Sequence, residues 1–450
     1  MEFVDSPLEA PAGATVVANL DNIMKGGRAL LSTQSGATPG RQQVHPLVRA
    51  GQELAGHRPL EQLFPTIMNL AIEAVGATRG VLMILEGSQL ETRAAKGDGF
   101  KISNTVRDQV LNKKESLLVR DVRLDQMLRD QASIVAQSVR SMMAVPLQTS
   151  DNVLGLIYVD SPHMVRPFTA EDLNLLTVMA NIAAIRIEHA RLLEVEKHDM
   201  LIARDMQQAA EIQKSLLPSR PPQIDGLDVA ALSEPCRSVG GDYYDFFMRP
   251  GGRQVFLVGD VAGKGMPAAL LMTSLQARVQ VLLEEKLEMS ALVTRLNSSI
   301  LASCPGNRFI TFFICEIDPA TGEVTYCNAG HNPPLLIRAN GKVQRLEDGG
   351  PVLGVLPRYA FSQHKCWMDE GDLLVMFTDG VTEAERIGSD EEYGERRLLE
   401  LVRKNHELPV SEILPALTED VASFAGSVTS SDDFTVMIIR KTACRAAESA

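Results

Sequence analysis

The 450-residue chain carries 57 Asp and Glu against 44 Lys and Arg, a formal net charge of −13, with 45% apolar residues. That length exceeds what one hydrophobic core usually serves, so two or three domains are expected. The acidic balance, with no basic stripe, argues against a nucleic-acid partner, because binding to a phosphate backbone draws on clustered Lys and Arg.

Residues 1–45 are small and polar, and are expected to form a flexible extension whose sequence assigns it no role. The opening MEFVDSPLEAPAG lacks the charged-then-apolar pattern of a signal peptide, and no run approaches the roughly 18 apolar residues of a membrane span. All six cysteines lie after residue 230 without a CxxC pair and read as reduced thiols. A cytoplasmic protein is the expectation.

From Pro59, Leu60, Leu63, Phe64, Ile67, Leu70, Ala71 and Ala74 fall at helical steps and stop at Gly76. Two strands, Gly80–Leu85 and Gln89–Ala94, then flank a Glu-Gly-Ser turn as a hairpin. A helix near Ser103–Leu111 and strands at Ser141–Leu147 and Val153–Asp160 complete an α+β unit. This order, with SMMAVPLQTSDNVLGLIYVDS followed by FTAEDLNLLTVMANIAAIRIEHARL, resembles a GAF domain over most of residues 55–192, within a domain bounded at 46–192. The resemblance implies a sensor for a small-molecule or protein signal, or a dimerising module.

A helix is predicted over 169–217, beginning at Thr169-Ala170-Glu171-Asp172 and ending at Pro218. Leu173, Leu176, Ala180, Ala183, Ile187 and Ala190 follow coiled-coil spacing; from Leu192 a second, polar-interrupted run shifts phase through Val195, Asp199, Ile202, Met206, Ala209, Gln213 and Leu216. The length and the shift favour a dimeric signalling helix over one packed on its own domain.

Residues 218–441 are rich in strands and glycine turns, before a tail at 442–450. Within Val239–Gly265, Asp242 and Asp260 stand beside glycine at the ends of a predicted hairpin; Asp379 follows the run Leu373–Phe377, and Asp432 precedes Phe434–Ile439. Four carboxylates at strand ends, with no convergent His or Cys, suit Mg²⁺ or Mn²⁺ better than zinc. Two such ions hold and deprotonate a water and clamp a phosphoryl oxygen. A P-loop is excluded at GDVAGKGM, which is one residue short between glycines and has Gly265 where the hydroxyl belongs.

The ordered strings AAEIQKSLLPSRPP, VGGDYYDFF, FLVGDVAGKGMPAALLM, FITFFICEIDPATGEVTYCNAGHNPPLLI, GGPVLGV, GDLLVMFTDGVTEA and SDDFTVMIIR resemble the SpoIIE/RsbU-like branch of the PPM metal-dependent serine/threonine phosphatases over about 207–441. The resemblance implies an α/β multidomain chain: an α+β GAF domain, a coiled-coil linker helix and a PPM-type β-sandwich flanked by helices. It further implies that Asp260 bridges two ions with the carbonyl of Val261 as an added ligand, that Asp242 holds one ion, and that Asp379 and Asp432 hold the other. Lys264 and Arg237 are candidates to meet substrate phosphate, and Met266, Leu270 and Leu271 to transmit regulation; His331 is a candidate general acid, but a histidine bonding its own turn is the stronger reading. The implied substrate is a phosphoserine or phosphothreonine on a STAS-domain anti-sigma-factor antagonist in partner-switching control, with the phosphatase a homodimer. The alternative is a pseudo-phosphatase scaffold that binds such a partner.

Overall fold

The computed structural model describes residues 15–19, 41–56, 58–87, 89–100, 102–121, 141–161, 167–302, 308–426 and 432–444. The chain divides into two compact units, residues 1–200 and 201–450.

The first unit is built on a six-stranded antiparallel sheet formed by β1 (Val16–Ala18), β2 (Arg79–Glu86), β3 (Gln89–Lys96), β4 (Ser116–Val119), β5 (Ser141–Gln148) and β6 (Val153–Ser161), in the order β1-β4-β5-β6-β2-β3. Helices α1 (Arg41–Ala55) and α2 (Leu60–Val75) pack on one face, and α3 (Asn104–Leu111) lies on the other. Helix α2 ends where Gly76 adopts φ 64° and its N–H reaches the carbonyl of Ile72. Ser103 caps α3 by accepting from the Val106 amide.

Two expectations change here. Val16–Ala18 pairs with β4 as an edge strand, and α1 begins at Arg41, so parts of the supposed extension belong to this unit. Residues 1–14 and 20–40 lie outside the described residues.

Helix α4 runs unbroken from Ala170 to Leu216. Its start is a reciprocal capping box: the Thr169 amide donates to Asp172 Oδ2 at 2.8 Å, and the Asp172 amide donates to Thr169 Oγ1 at 3.2 Å. The first heptad seam is not an intermolecular one. Leu173, Leu176, Ala180, Ala183, Ile187 and Ala190 are all buried in the core that α4 shares with α1, α2 and the sheet, since a stripe at this spacing serves an intradomain face as well as a partner helix. Beyond it the apolar residues are exposed: Leu192 is 63%, Val195 59%, Met200 62% and Ile202 47% accessible.

The second unit stacks two antiparallel-dominated sheets face to face. One contains β8 (Tyr243–Met248), β9 (Gln254–Val261), β10 (Ile310–Ile317), β11 (Glu323–Ala329), β14 (Gly349–Gly350) and β15 (His364–Trp367); the other contains β7 (Leu227–Glu234), β12 (Leu335–Ile337), β13 (Val343–Arg345), β16 (Leu373–Phe377) and β17 (Phe434–Lys441). Alternate residues of both sheets, among them Phe256, Val258, Phe313, Met376, Met437 and Ile439, close the core between them. Helices α5 (Met266–Glu284) and α6 (Met289–Leu301) cover the outer face of the first sheet. The short α7 (Asp379–Thr382) leads on to α8 (Gly394–Lys404) and α9 (Val410–Ala425), which cover the second. By composition, α5 alone among the described helices is long and apolar enough to cross a membrane. Its Ala268, Met272, Leu275 and Val279 are instead buried against β9 and α6.

A candidate metal centre at the sandwich edge

Each sheet delivers two of the four carboxylates. In the first, Tyr243 pairs with Gly259, so antiparallel register sets Asp242, one residue before, opposite Asp260, one residue after. In the second, Phe377 pairs with Val436, and the Thr378 amide extends the ladder to the Thr435 carbonyl at 3.0 Å; Asp379 and Asp432 leave the same end. A hydrogen bond then joins the sheets: Thr378 Oγ1 donates to Asp242 Oδ2 at 2.8 Å.

Close backbone approach explains two of the glycines. A Cβ on Gly241 would lie 2.9 Å from the Val261 carbonyl oxygen, and one on Gly380 would lie 2.1 Å from that of Asp433. Only glycine lets the Asp242 turn meet the end of β9 and α7 meet the start of β17.

The electrostatics are those of a crowded anionic site. Asp242 is 5% exposed, and burial, followed by the charge of Asp260, holds its carboxyl well above the usual range. Burial and then the charges of Asp379, Asp432 and Asp433 push Asp260 up to about 7. Asp379 is raised by burial and by Asp432. Asp242 Oδ1 is buried with no hydrogen-bond partner among the described residues, an arrangement that is costly unless a proton or a cation meets it.

The other expected residues fall into place unequally. Lys264 Nζ pairs with Asp432 Oδ2 at 2.8 Å. Arg237 runs past Gly265, with Nη1 3.6 Å from where a Cβ would stand on that glycine. Leu270 is 63% exposed, whereas Met266 and Leu271 are half-buried. His331 is bonded within its own turn, as the stronger of its two sequence readings expects: its amide donates to Asn328 Oδ1, and Asn328 Nδ2 donates to its carbonyl. It is 4% exposed, its Nε2 lies 3.0 Å from the Phe377 carbonyl, and its Nδ1 lies 2.8 Å from Thr311 Oγ1. A carbonyl only accepts, so Nε2 carries the proton and Nδ1 accepts from the hydroxyl. Burial lowers the imidazole to about 4, which keeps it neutral and structural.

Thr378, Cys236 and Arg308 escape a reading by carboxylate pattern, whereas Asp433 takes the supporting role that the resemblance implies for it. Asp433 spends both oxygens on backbone amides, accepting from Cys236 N at 2.8 Å and Gly241 N at 2.5 Å. Cys236 Sγ lies within 4.8 Å of carboxylate oxygens of Asp432 and Asp433, and burial together with the Asp433 hydrogen bond pushes its thiol up to about 11. Arg308 donates to the Ala262 carbonyl at 3.1 Å and so braces the loop carrying Lys264. Adjacency to Asp379 was the available signal for Thr378; Arg308 lies 44 residues from Lys264 in sequence and carried none.

The second unit is a two-sheet sandwich flanked by helices, with carboxylates converging from both sheets at one edge. Residues 250–442 match the family model for stage II sporulation protein E (SpoIIE), and residues 59–187 match the GAF domain. Residues 59–187 are thus similar to GAF domains and residues 250–442 to the SpoIIE domain. It is 28% identical to phosphoserine phosphatase RsbU of Bacillus subtilis over 268 residues, 59% of this chain and 78% of that protein. It is 27% identical to protein IcfG of Synechocystis sp. over 275 residues, 55% of this chain but 43% of that protein. Among solved structures, the SiaA PP2C domain of Pseudomonas aeruginosa is 20% identical, with a TM-score of 0.47 over 54% of this chain and 98% of that one.

Proposed function

We propose that the chain is a divalent-metal-dependent protein phosphatase acting on phosphoserine or phosphothreonine. The observation that carries the reading is the convergence of Asp242, Asp260, Asp379 and Asp432 from two sheets, with Asp242 Oδ1 buried and unpartnered. The donor set fits the ions: the four carboxylates and the Val261 carbonyl would offer oxygen, as Mn²⁺ or Mg²⁺ prefers. The Cys236 thiol, which converges on Asp432 and Asp433 against the sequence expectation, is pushed up to about 11 and stays protonated. Two such ions, when bound, would lower the pKa of an attacking water and set positive charge against the phosphoryl oxygens.

The chain's own groups do the rest. Thr378 fixes one oxygen of Asp242 by donating to it, and Asp433 holds the Gly241 amide so that Asp242 follows in one orientation. Arg308 fixes the loop through Ala262, and Arg237 beside Gly265 offers a guanidinium fork to a phosphate entering over that loop. No protein nucleophile is required.

The substrate we favour is a phosphorylated STAS-domain antagonist in a cytoplasmic partner-switching pathway; the likeness to a phosphoserine phosphatase supports phosphoserine as the group removed. Control is assigned to the GAF domain, where a cleft of about 630 Å³ lined by Val81, Met83, Leu90, Thr92, Phe100 and Arg107 suits a small molecule. Helix α4 carries the signal, its exposed stretch from Leu192 to Ile202 pairing with a second copy in a homodimer. Helix α5, which starts at Met266 directly after the Lys264 loop, is the second route by which a partner would reach the site.

Phosphate release from a phosphorylated STAS protein, with and without Mn²⁺, tests the reading. Asp260→Asn and Asp379→Asn should abolish metal-dependent turnover with the fold intact; full activity in either would refute it. A second reading, a scaffold that binds without turnover, draws on the Lys264–Asp432 pair, which neutralises one carboxylate without any ion. Wild-type chain that binds the partner yet releases no phosphate would favour it.

A further inference from the structure

Gln213 lies in the last turns of α4, among exposed neighbours Glu211, Ile212, Lys214 and Ser215, and is itself half-buried. Its carboxamide engages one residue twice. Nε2 donates to the Gly240 carbonyl at 2.7 Å, and Oε1 accepts from the Gly240 amide at 3.0 Å. A side-chain amide thereby satisfies both backbone groups of a buried loop residue, as a neighbouring strand would.

The opposite side of the same dipeptide is held by Asp433. A Cβ on Gly240 would come within 2.6 Å of Asp433 Oδ2, and the Gly241 amide donates to that oxygen. Gly240–Gly241 is thus gripped between a helix and a strand end, and the next residue is Asp242. A cavity of about 300 Å³ lined by Ala210, Gln213, Leu217, Ser238, Asp242 and Asp433 lies beside this contact, and Leu217 just past the helix packs on the cores of the second unit. The two hydrogen bonds fix the register at Gly240, and a one-residue slip or a rotation of the helix breaks both together.

We infer that Gln213 is a positioning residue for the carboxylate cluster: by clamping Gly240 it fixes the backbone that presents Asp242, and so makes cation binding depend on the register of the end of α4. This rests on the metal-centre reading proposed above. It goes beyond that reading by naming the contact through which the helix acts and the property it changes, which is affinity for the ion.

The test uses the full chain and two measurements, amide hydrogen exchange over 236–243 without metal and Mn²⁺ binding by calorimetry. Gln213→Ala should speed exchange at Gly240 and Gly241 at least tenfold and weaken Mn²⁺ binding at least tenfold, with kcat recovering to within about threefold at saturating Mn²⁺ and KM unchanged. Gln213→Glu keeps the acceptor for the Gly240 amide but loses the donor to its carbonyl, and should slow Gly240 exchange relative to Gln213→Ala while still weakening Mn²⁺. The neighbouring control Glu211→Ala should match wild type in both. Wild-type exchange and wild-type Mn²⁺ affinity in Gln213→Ala would overturn the inference, as would loss of cooperative unfolding in both variants, which would assign Gln213 to folding alone. Failure of the metal-centre reading shows separately: the wild-type chain would then take up no Mn²⁺, whatever the exchange rates of the variants.

Discussion

Thr378 Oγ1 and Asp242 Oδ2 meet at 2.8 Å, so that one hydroxyl from the second sheet holds a carboxylate from the first. The same hydroxyl accepts from the Thr435 amide at 3.1 Å, which fixes its direction and leaves its proton for Asp242. Both residues are buried, Thr378 completely.

Replacing Thr378 by the isosteric Val therefore removes a donor and an acceptor from an enclosed place. An unsatisfied buried polar group costs about 1–3 kcal/mol, and stability by urea denaturation should fall by that order. Phosphatase activity should fall further than stability explains, because Asp242 loses its orientation.

The crowding of Asp260 sets a pH dependence in metal-free protein. Its carboxyl is raised to about 7 from 3.8, so between those values the native state holds a proton that the unfolded chain has released. Stability then falls as pH rises through that window, at up to about 1.4 kcal/mol per pH unit, and levels off above it. Asp260→Asn should remove much of the slope and raise the melting temperature of metal-free protein at pH 7.5, although it abolishes turnover. Thermal unfolding across pH 4–8 would check this, and a slope unchanged in the variant would count against it.

Lys264 sits where an ion would compete for Asp432. With side chains 37% and 33% exposed, this pair contributes roughly 0–1 kcal/mol to stability, so Lys264→Ala should melt close to wild type. Mn²⁺ binding should tighten a few-fold by calorimetry, since a resident cation has been removed; weaker binding would place Lys264 among groups that support the ion.

For His331 the expectation is structural. His331→Ala leaves the Phe377 carbonyl and the Thr311 hydroxyl without their ring partners, and stability should drop by about 2 kcal/mol or more. The shape of the pH–rate profile should stay as in wild type, because an imidazole held near 4 does not change charge around neutrality.

Acidic substitutions at Leu192, Val195 and Ile202 should convert a dimer to monomer in sedimentation without lowering the melting temperature of either unit, because these side chains are exposed within one chain. A dimer that persists would place the contact elsewhere.

Much was legible in the sequence because it is local. Apolar alternation marked β9, β16 and β17, a glycine marked the end of α2, and Thr169 with Asp172 marked the start of α4. The four carboxylates could be singled out one by one because each adjoins an apolar strand run, and antiparallel register then fixes the Asp242–Asp260 juxtaposition once β8 and β9 pair. The heptad seam at Leu173–Ala190 could not be resolved the same way. Spacing specifies a stripe and leaves its partner open, and only the packed core showed that the stripe faces its own domain.

By itself, then, the sequence determined which residues are acidic, apolar or turn-forming, and hence the class of chemistry and the order of elements, since propensity and periodicity are properties of neighbours along the chain. Tertiary structure alone decided what is set by distance across it: that Thr378 serves Asp242 from 136 residues away, that Asp433 is occupied by amides nearly two hundred residues earlier, and that the buried His331 ring lies between Thr311 and Phe377. Hydrogen bonds and desolvation act through space, and no spacing rule encodes a contact until both sheets have closed around it.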